Sequence, residues 1–272
     1  MKNGSPPRFE RYVAIGDSST EGIDDPDGEG GYRGWANRLA QRIADAQGAV
    51  LYANLGIRGR RTREVLDEQL APALAMNPDL ATVFSGSNDI LRVRFDAARV
   101  SDDIAHMQRA LATGGATVVT FTLPDLTPIL PIGRMLAPRV RALNDALRSA
   151  SAKTGAILVD FAAHTIGSDP RLWSEDRFHA NPDGHVRIAH ALAHAIGIPG
   201  ADDSWMLPLP PGAARSRGAQ LGSEIAWGCR SVASWGMGAM RGGGKEDRKP
   251  KRPRLEWVHR QGEPRREGWV GR

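Results

Sequence analysis

Cysteine is nearly absent from this chain, since Cys229 is the only one among its 272 residues. A single thiol excludes an internal disulfide and a zinc site built on cysteine pairs, and it is typical of a reducing compartment. Long apolar runs are also missing, because no stretch approaches the roughly 18 residues that a membrane-spanning helix needs. Residues 1–11 are polar and lack the apolar core of a signal peptide. We therefore expect a cytoplasmic protein without a membrane span.

An excess of one charge is missing from most of the chain, although the formal net charge is +5. Residues 241–272 hold 11 Lys/Arg and 5 Asp/Glu, which leaves 25 basic and 26 acidic side chains in residues 1–240. The basic character therefore belongs to the C-terminal tail, and the body lacks the charge excess that nucleic-acid binding needs. We expect a disordered, solvated tail and no nucleic-acid partner.

Five runs of strand-forming residues alternate with helical patterns in the first 200 positions. The later runs are nearly continuous in Val, Leu, Thr and Phe, which is typical of parallel strands covered on both faces. The five runs are Tyr12–Ile15, Val50–Asn54, Leu80–Ser85, Thr117–Thr122 and Ile157–Asp160. Strands that are linked by helices predict right-handed crossovers and a doubly wound parallel sheet.

Composition divides the chain into three segments. Residues 8–199 carry the alternating pattern and are predicted to form one domain. Residues 200–240 contain the stiff Pro208–Pro211 spacer and several tryptophans, and we expect an extension that includes a docked helix. Residues 241–272 form the basic tail that is predicted to be disordered.

Polar residues with complementary chemistry follow the predicted strands. Ser18 lies in a Gly-Asp-Ser turn at the end of the first strand, where an open α/β sheet places its ligand. A serine hydroxyl needs a base, which His179 can supply, and Asp176 can orient that imidazole from three residues upstream. The Ser18 amide, Gly59 after the second strand and the Asn88 side chain after the third can donate to an oxyanion. Together these residues predict a nucleophilic serine with Ser18, Asp176 and His179 as its triad.

Four sequence blocks resemble the SGNH superfamily of GDSL-type esterases and lipases. They occur in that family's order as Gly16-Asp17-Ser18 with Gly22, Asn54–Gly59, Gly86–Asp89 and Asp176–His179. The resemblance covers about residues 8–199 and implies a three-layer α/β/α, flavodoxin-like fold around a five-stranded parallel sheet. It also implies hydrolysis of carboxylic esters or thioesters without a metal. The site residues that it implies are the triad Ser18, Asp176 and His179 and an oxyanion hole of the Ser18 amide, Gly59 and Asn88.

We interpret the chain as a serine ester hydrolase that forms an acyl-enzyme and needs neither a cofactor nor a metal. Its expected partner is a small-molecule ester with a short- to medium-chain acyl group. A carbohydrate O-deacetylase or an acyl thioesterase on the same scaffold is the alternative within the hydrolases. A catalytically silent ligand-binding module is the alternative from another class. Gly56 remains open as an oxyanion donor in place of Gly59, and the residues leave the alcohol portion and the oligomeric state open.

The segment Leu123–Pro138 follows the fourth predicted strand and contains four prolines, which predict that no helix runs through it. Its apolar side chains, among them Ile129 and Leu130, have two interpretations. They form either a lip that contacts the acyl chain or leaving group, or a loop that covers the sheet edge.

Overall fold

The computed structural model describes residues 6–130, 132–211 and 248–262. Within these ranges one sheet has six strands in the order β5-β4-β3-β1-β2-β6. The strands are β1 (Arg11–Gly16), β2 (Ala49–Asn54), β3 (Leu80–Phe84), β4 (Thr117–Phe121), β5 (Ile157–Val159) and β6 (Arg252–His259). Strands β1 to β5 pair in parallel, and β6 runs antiparallel to β2.

Helices cover both faces of the sheet. They are α1 (Ser18–Glu21), α2 (Gly34–Gln47), α3 (Thr62–Ala75), α4 (Ala97–Thr113), α5 (Gly133–Thr154) and α6 (Pro182–Ala195). One buried cluster joins α3, α4 and α5 to the sheet, and a second joins α2 and α6 to its opposite face. None of the helices in the described ranges has the length and apolar composition to cross a bilayer.

Strand β1 accounts for the continuous apolar runs in the sequence. Val13 and Ile15 belong to the cluster under α3 to α5, whereas Tyr12 and Ala14 belong to the cluster under α2 and α6. Successive side chains of a strand point to opposite faces, so a sheet with helices on both sides needs apolar residues at every position. The predicted α/β architecture with a mostly parallel sheet is therefore confirmed.

The prediction of five strands is one strand short. Residues 252–259 lie in the tail that was predicted to be disordered, yet they form β6 against the free edge of β2. Leu255 packs on one core cluster and Val258 on the other. The Arg252 guanidinium lies over the Tyr52 ring, 5.2 Å from its centre. The charged residues Arg252, Arg254 and Glu256 alternate with the apolar residues of β6 and obscure them in the sequence.

Two further sequence expectations have different outcomes. Helix α5 begins at Gly133 and contains Pro138, so the prediction that no helix runs through this segment is wrong. Leu136, Val140 and Leu143 are buried on the inner face of α5, and their packing outweighs the backbone hydrogen bond that proline forfeits. The docked helix of the extension was expected at residues 224–240, which lie outside the described residues.

Candidate active site

The candidate site lies at the carboxyl ends of β1 and β3, which are neighbours in the sheet. After β1 the chain forms β2 on one side of this pair, and after β3 it forms β4 on the opposite side, so the strand order reverses between β1 and β3. Ligands of open α/β sheets bind at such a reversal of strand order. Ser18 follows β1 directly as the first residue of α1, and Asn88 lies in the loop after β3.

Ser18, His179 and Asp176 come together in one hydrogen-bonded row. His179 Nε2 lies 2.8 Å from Ser18 Oγ, across 161 positions of sequence. His179 Nδ1 lies 2.6 Å from Asp176 Oδ2. If Nδ1–H donates to the carboxylate, Nε2 has a free lone pair and accepts the serine hydroxyl proton. This arrangement has the geometry of a nucleophile, a base and a group that orients the base.

Asp176 is held by the turn that precedes α6. It accepts hydrogen bonds from Ser174 Oγ at 2.6 Å, Phe178 N at 2.8 Å and His179 N at 2.9 Å. Arg177 adopts φ +59°, which tightens the turn and brings the two side chains to the same side. Burial opposes ionisation of Asp176, but the bonds from His179 and Ser174 outweigh it and hold the pKa well below its usual range. Asp176 is therefore anionic at neutral pH.

A second carboxylate faces the same imidazole. Asp24 Oδ2 lies 3.9 Å from His179 Nδ1, and Asp24 adopts φ +68°, a region that non-glycine residues enter rarely. Burial acts to lower the pKa of His179, but Asp176 outweighs burial and, together with Asp24, raises that pKa above its ordinary value. Asp24, Asp176 and His179 also offer ligand atoms within 4.8 Å of one another. Both ring nitrogens of His179 already make hydrogen bonds, to Asp176 and to Ser18. A cation bound to His179 would therefore have to break one of these hydrogen bonds.

The structure distinguishes between the two glycines of the second block. The Gly56 amide donates to Asn54 Oδ1 at 2.9 Å, and a Cβ at Gly56 would lie 2.7 Å from the Glu21 nitrogen. Gly59 has φ +79°, and no acceptor for its amide is found in the part of the chain that the structure describes. The Ser18 amide also lacks an intrahelical acceptor, because Ser18 is the first residue of α1. The geometry therefore favours Gly59 over Gly56 as the oxyanion donor.

Asn88 is held next to a buried acid. Its Nδ2 donates to the Arg60 carbonyl at 3.0 Å and lies 3.5 Å from Asp17 Oδ2. Asp17 is fully buried and accepts a hydrogen bond from Ser19 N at 3.0 Å. Burial raises the pKa of Asp17 to about 7, against the hydrogen bonds that favour its anion. Asp17 thus links the Ser18 turn to the loop that carries Asn88.

Three histidines of α6 have structural partners. His185 accepts from Trp35 N at 3.0 Å through Nδ1, and Nε2–H donates to the Ile23 carbonyl. Burial lowers the pKa of His185 to about 4, so it is neutral at pH 7. His190 and His194 accept hydrogen bonds from Asp202 N and Trp205 Nε1. They attach the segment after α6 to the domain.

The two interpretations of Leu123–Pro138, a lip over the site or a loop that covers the sheet edge, apply to different residues of this segment. Ile129 and Leu130 are each 2% exposed and belong to the core cluster under α3 to α5. They therefore do not contact a ligand at Ser18. Leu123 and Pro124, directly after β4, line a cavity beside Ser18.

Sequence reasoning missed the contributions of Asp17, Asp24 and Trp205. Asp17 stands inside the recognised motif, but no pattern in the sequence indicates that its carboxyl is buried against Asn88. Asp24 and Trp205 lie far in sequence from the residues they approach, so no local spacing signals them. Of the three, Asp17 alone had a usable signal: its turn follows a buried strand, which suggests a buried carboxyl.

Residues 14–187 match the GDSL-like lipase/acylhydrolase family. An acetylxylan esterase from Geobacillus stearothermophilus is 26% identical over 221 residues, which span 73% of this chain and 97% of that enzyme. The crystal structure of the acetylxylan esterase Axe2 from the same organism has a TM-score of 0.57 at 18% identity, covering 75% of this chain and 100% of that one. A putative GDSL-like lipase from Parabacteroides merdae has a TM-score of 0.59 at 17% identity, covering 71% and 98%.

The fold that these structures share with the chain is a mostly parallel α/β sheet with helices on both faces. The match of residues 14–187 covers more than half of the sequence. The chain therefore belongs to the GDSL-like lipase/acylhydrolase family. It is a carboxylic ester hydrolase, as the family and its esterase relative indicate.

Proposed function

We propose that the protein hydrolyses carboxylic esters of short-chain acids through an acyl-enzyme formed on Ser18. The observation that carries this proposal is the 2.8 Å approach of His179 Nε2 to Ser18 Oγ, at the edge of the sheet where such folds bind ligands. A hydroxyl in this position is a nucleophile as soon as the imidazole removes its proton.

The steps follow from the positions of the named atoms. Ser18 Oγ attacks the ester carbonyl carbon while its proton passes to His179 Nε2. Asp176 stabilises the imidazolium through Nδ1–H. The carbonyl oxygen becomes an oxyanion that accepts hydrogen bonds from the Ser18 and Gly59 amides and the Asn88 amide group.

Collapse of this intermediate breaks the bond to the alcohol, which leaves with the proton from His179. Water then attacks the acyl carbonyl carbon as His179 takes one of its protons. The second intermediate expels Ser18 Oγ, which regains its proton from the imidazolium, and the carboxylic acid departs. The chain supplies every proton transfer from its own residues, so the proposal needs neither a cofactor nor a metal.

Ser18→Ala tests the proposal, with Ser19→Ala as the matched control. Ser19 is the adjacent hydroxyl and accepts a hydrogen bond from Trp35 Nε1 at 3.2 Å. We expect Ser18→Ala to lower kcat for p-nitrophenyl acetate by at least about 10³ and to abolish labelling by a fluorophosphonate. Ser19→Ala should keep both activities, and EDTA should leave wild-type turnover unchanged. Peptide mapping that places the label elsewhere than Ser18, or an unlabelled wild type, would refute the proposal and favour a binding module.

Carbohydrate O-deacetylation is the second candidate. It is favoured by the acetylxylan esterase that aligns over 97% of its own length. An acyl thioesterase is a further alternative on the same scaffold. Acetate release from acetylated xylo-oligosaccharides, measured beside p-nitrophenyl acetate and acetyl-CoA, distinguishes these possibilities. A kcat/KM that is at least ten times higher for the oligosaccharide would identify a deacetylase.

A further inference from the structure

A narrow cavity of about 80 Å³ opens beside Ser18 and His179. It runs between the loops after β4 and β5 and the start of α6. Its walls are mainly apolar and rich in aromatic rings, formed by Phe84, Phe121, Phe161, Ile188 and Trp205. Ring contacts hold these walls in place, since Phe121 stacks on Phe84 at 4.0 Å and meets Phe161 edge to face at 5.6 Å.

Trp205 comes from outside the part of the chain that matches the family, which ends at residue 187. It lies in a short 3-10 helix, Asp203–Met206, and is 7% exposed. Its indole meets Phe161 edge to face at 5.3 Å, and its Nε1 donates to His194 at 3.3 Å. Arg187 donates to its carbonyl. The position of this ring is thus fixed from three sides.

We propose that this cavity holds the acyl chain of the ester and that Trp205 limits its length to about two to four carbons. The inference rests on the proposed function, because the cavity starts at the serine that would carry the acyl group. A cavity of about 150 Å³ lined by apolar side chains holds benzene, which has six carbons. The present volume is about half as large, so it accommodates about three carbons beyond the carbonyl.

The acyl chain fits this cavity better than a sugar alcohol does. Polar side chains of its lining away from the triad already have partners in the protein: Ser19 accepts from Trp35 Nε1, and Arg187 donates to the Trp205 and Leu207 carbonyls. The Thr122 hydroxyl donates to Asp160 at 2.7 Å and accepts from Ala162 N at 3.0 Å. A hydroxylated group would lose its hydrogen bonds to water here without replacement. The alcohol portion therefore stays outside the cavity, toward solvent.

Trp205→Ala tests this assignment with p-nitrophenyl esters of two to ten acyl carbons. Wild type should lose kcat/KM steeply beyond four carbons. The variant should gain up to about fourfold for each further methylene that becomes buried, so the octanoate-to-acetate ratio should rise by at least tenfold. Trp257→Ala is the matched control, because it removes an indole from β6 that is 51% exposed and lies outside the cavity lining. Ile188→Ala enlarges the same cavity in a smaller step and serves if Trp205→Ala does not fold.

The outcomes separate the inference from the function on which it rests. An unchanged acyl profile in folded Trp205→Ala and Ile188→Ala overturns the inference, while fluorophosphonate labelling of Ser18 leaves the proposed function standing. A second panel varies the alcohol with acetate held constant. If the variants shift the alcohol profile and not the acyl profile, the cavity holds the leaving group and our assignment is wrong. A wild type that neither turns over esters nor is labelled refutes the function and the inference together.

Discussion

Asp17→Asn is expected to raise the free energy of unfolding at alkaline pH, when the variant is compared with wild type at the same pH. The size of the effect is set by the shifted pKa of the buried Asp17 carboxyl. Asp17 is fully buried, and burial raises its pKa from 3.8 to about 7. Between these two values the folded protein keeps a proton that the unfolded chain has released. Stability then falls as pH rises, because the folded state binds more protons than the unfolded state.

The magnitude follows from the difference between the two pKa values. Each pH unit in this window costs about 1.4 kcal/mol, so the full window costs about 4 kcal/mol. Between pH 5 and pH 8 the cost is about 3 kcal/mol, since it stops accumulating near pH 7. Asparagine is neutral throughout, so the variant avoids this loss. Its lost or altered contacts with Ser19 and Asn88 change stability equally at both pH values and cancel in the comparison.

Urea unfolding at pH 5 and pH 8 measures the effect as a difference of differences. We expect the free energy of unfolding of the variant, relative to wild type, to increase by about 3 kcal/mol from pH 5 to pH 8. Asp102→Asn, at an exposed position of α4, is the control and should give a difference near zero. If the Asp17→Asn difference is the same at both pH values, the buried carboxyl does not titrate as the structure indicates and our reasoning about Asp17 is wrong.

Two further changes test features found only in the structure. Asp24→Asn removes a carboxylate that raises the pKa of His179, so the acid limb of kcat/KM should move to lower pH. A pH profile of p-nitrophenyl acetate hydrolysis from pH 5 to 9 measures the shift, and an unmoved limb contradicts the role of Asp24. Deletion of residues 248–272 removes β6 and uncovers β2, so Tm should fall by about 5 °C or more. Scanning fluorimetry that gives an unchanged Tm would mean that β6 contributes no net stability.

The fold was predictable where local pattern and tertiary packing agree. All five parallel strands coincide with apolar runs, because helices cover both faces of the sheet and most strand residues are buried. Strand β6 was not predicted because it covers an edge, where Leu255 and Val258 pack on the core and Arg252 lies over the Tyr52 ring. The remaining side chains of β6 are exposed or half-buried. The first part of α5 was not predicted, because a proline such as Pro138 normally ends or kinks a helix. In the structure, the burial of Leu136 and Val140 stabilises the helix across this proline.

The parts of the candidate site that could be predicted are those that depend on residue type and on position at the end of a strand. Ser18, Asp176 and His179 each stand in a motif, and the structure brings them within hydrogen-bonding distance. The preference for Gly59 over Gly56 as the proposed oxyanion donor required the structure, because the sequence does not reveal that the Gly56 amide donates to Asn54. The cavity required it too, since Trp205 reaches the site from beyond α6.

Two carboxyl groups that interact with the imidazole of His179, Asp176 and Asp17, have different environments. Asp176 accepts four hydrogen bonds and stays anionic, whereas buried Asp17 exchanges its proton near neutral pH. Groups whose surroundings drive their pKa values apart take different roles in a site. Of these two, Asp176 keeps its negative charge over the whole neutral range, which supports its proposed role as the acid that orients His179. Because Asp17 becomes anionic as pH rises through about 7, we expect its charge to favour the imidazolium most on the alkaline side, where the base is otherwise deprotonated.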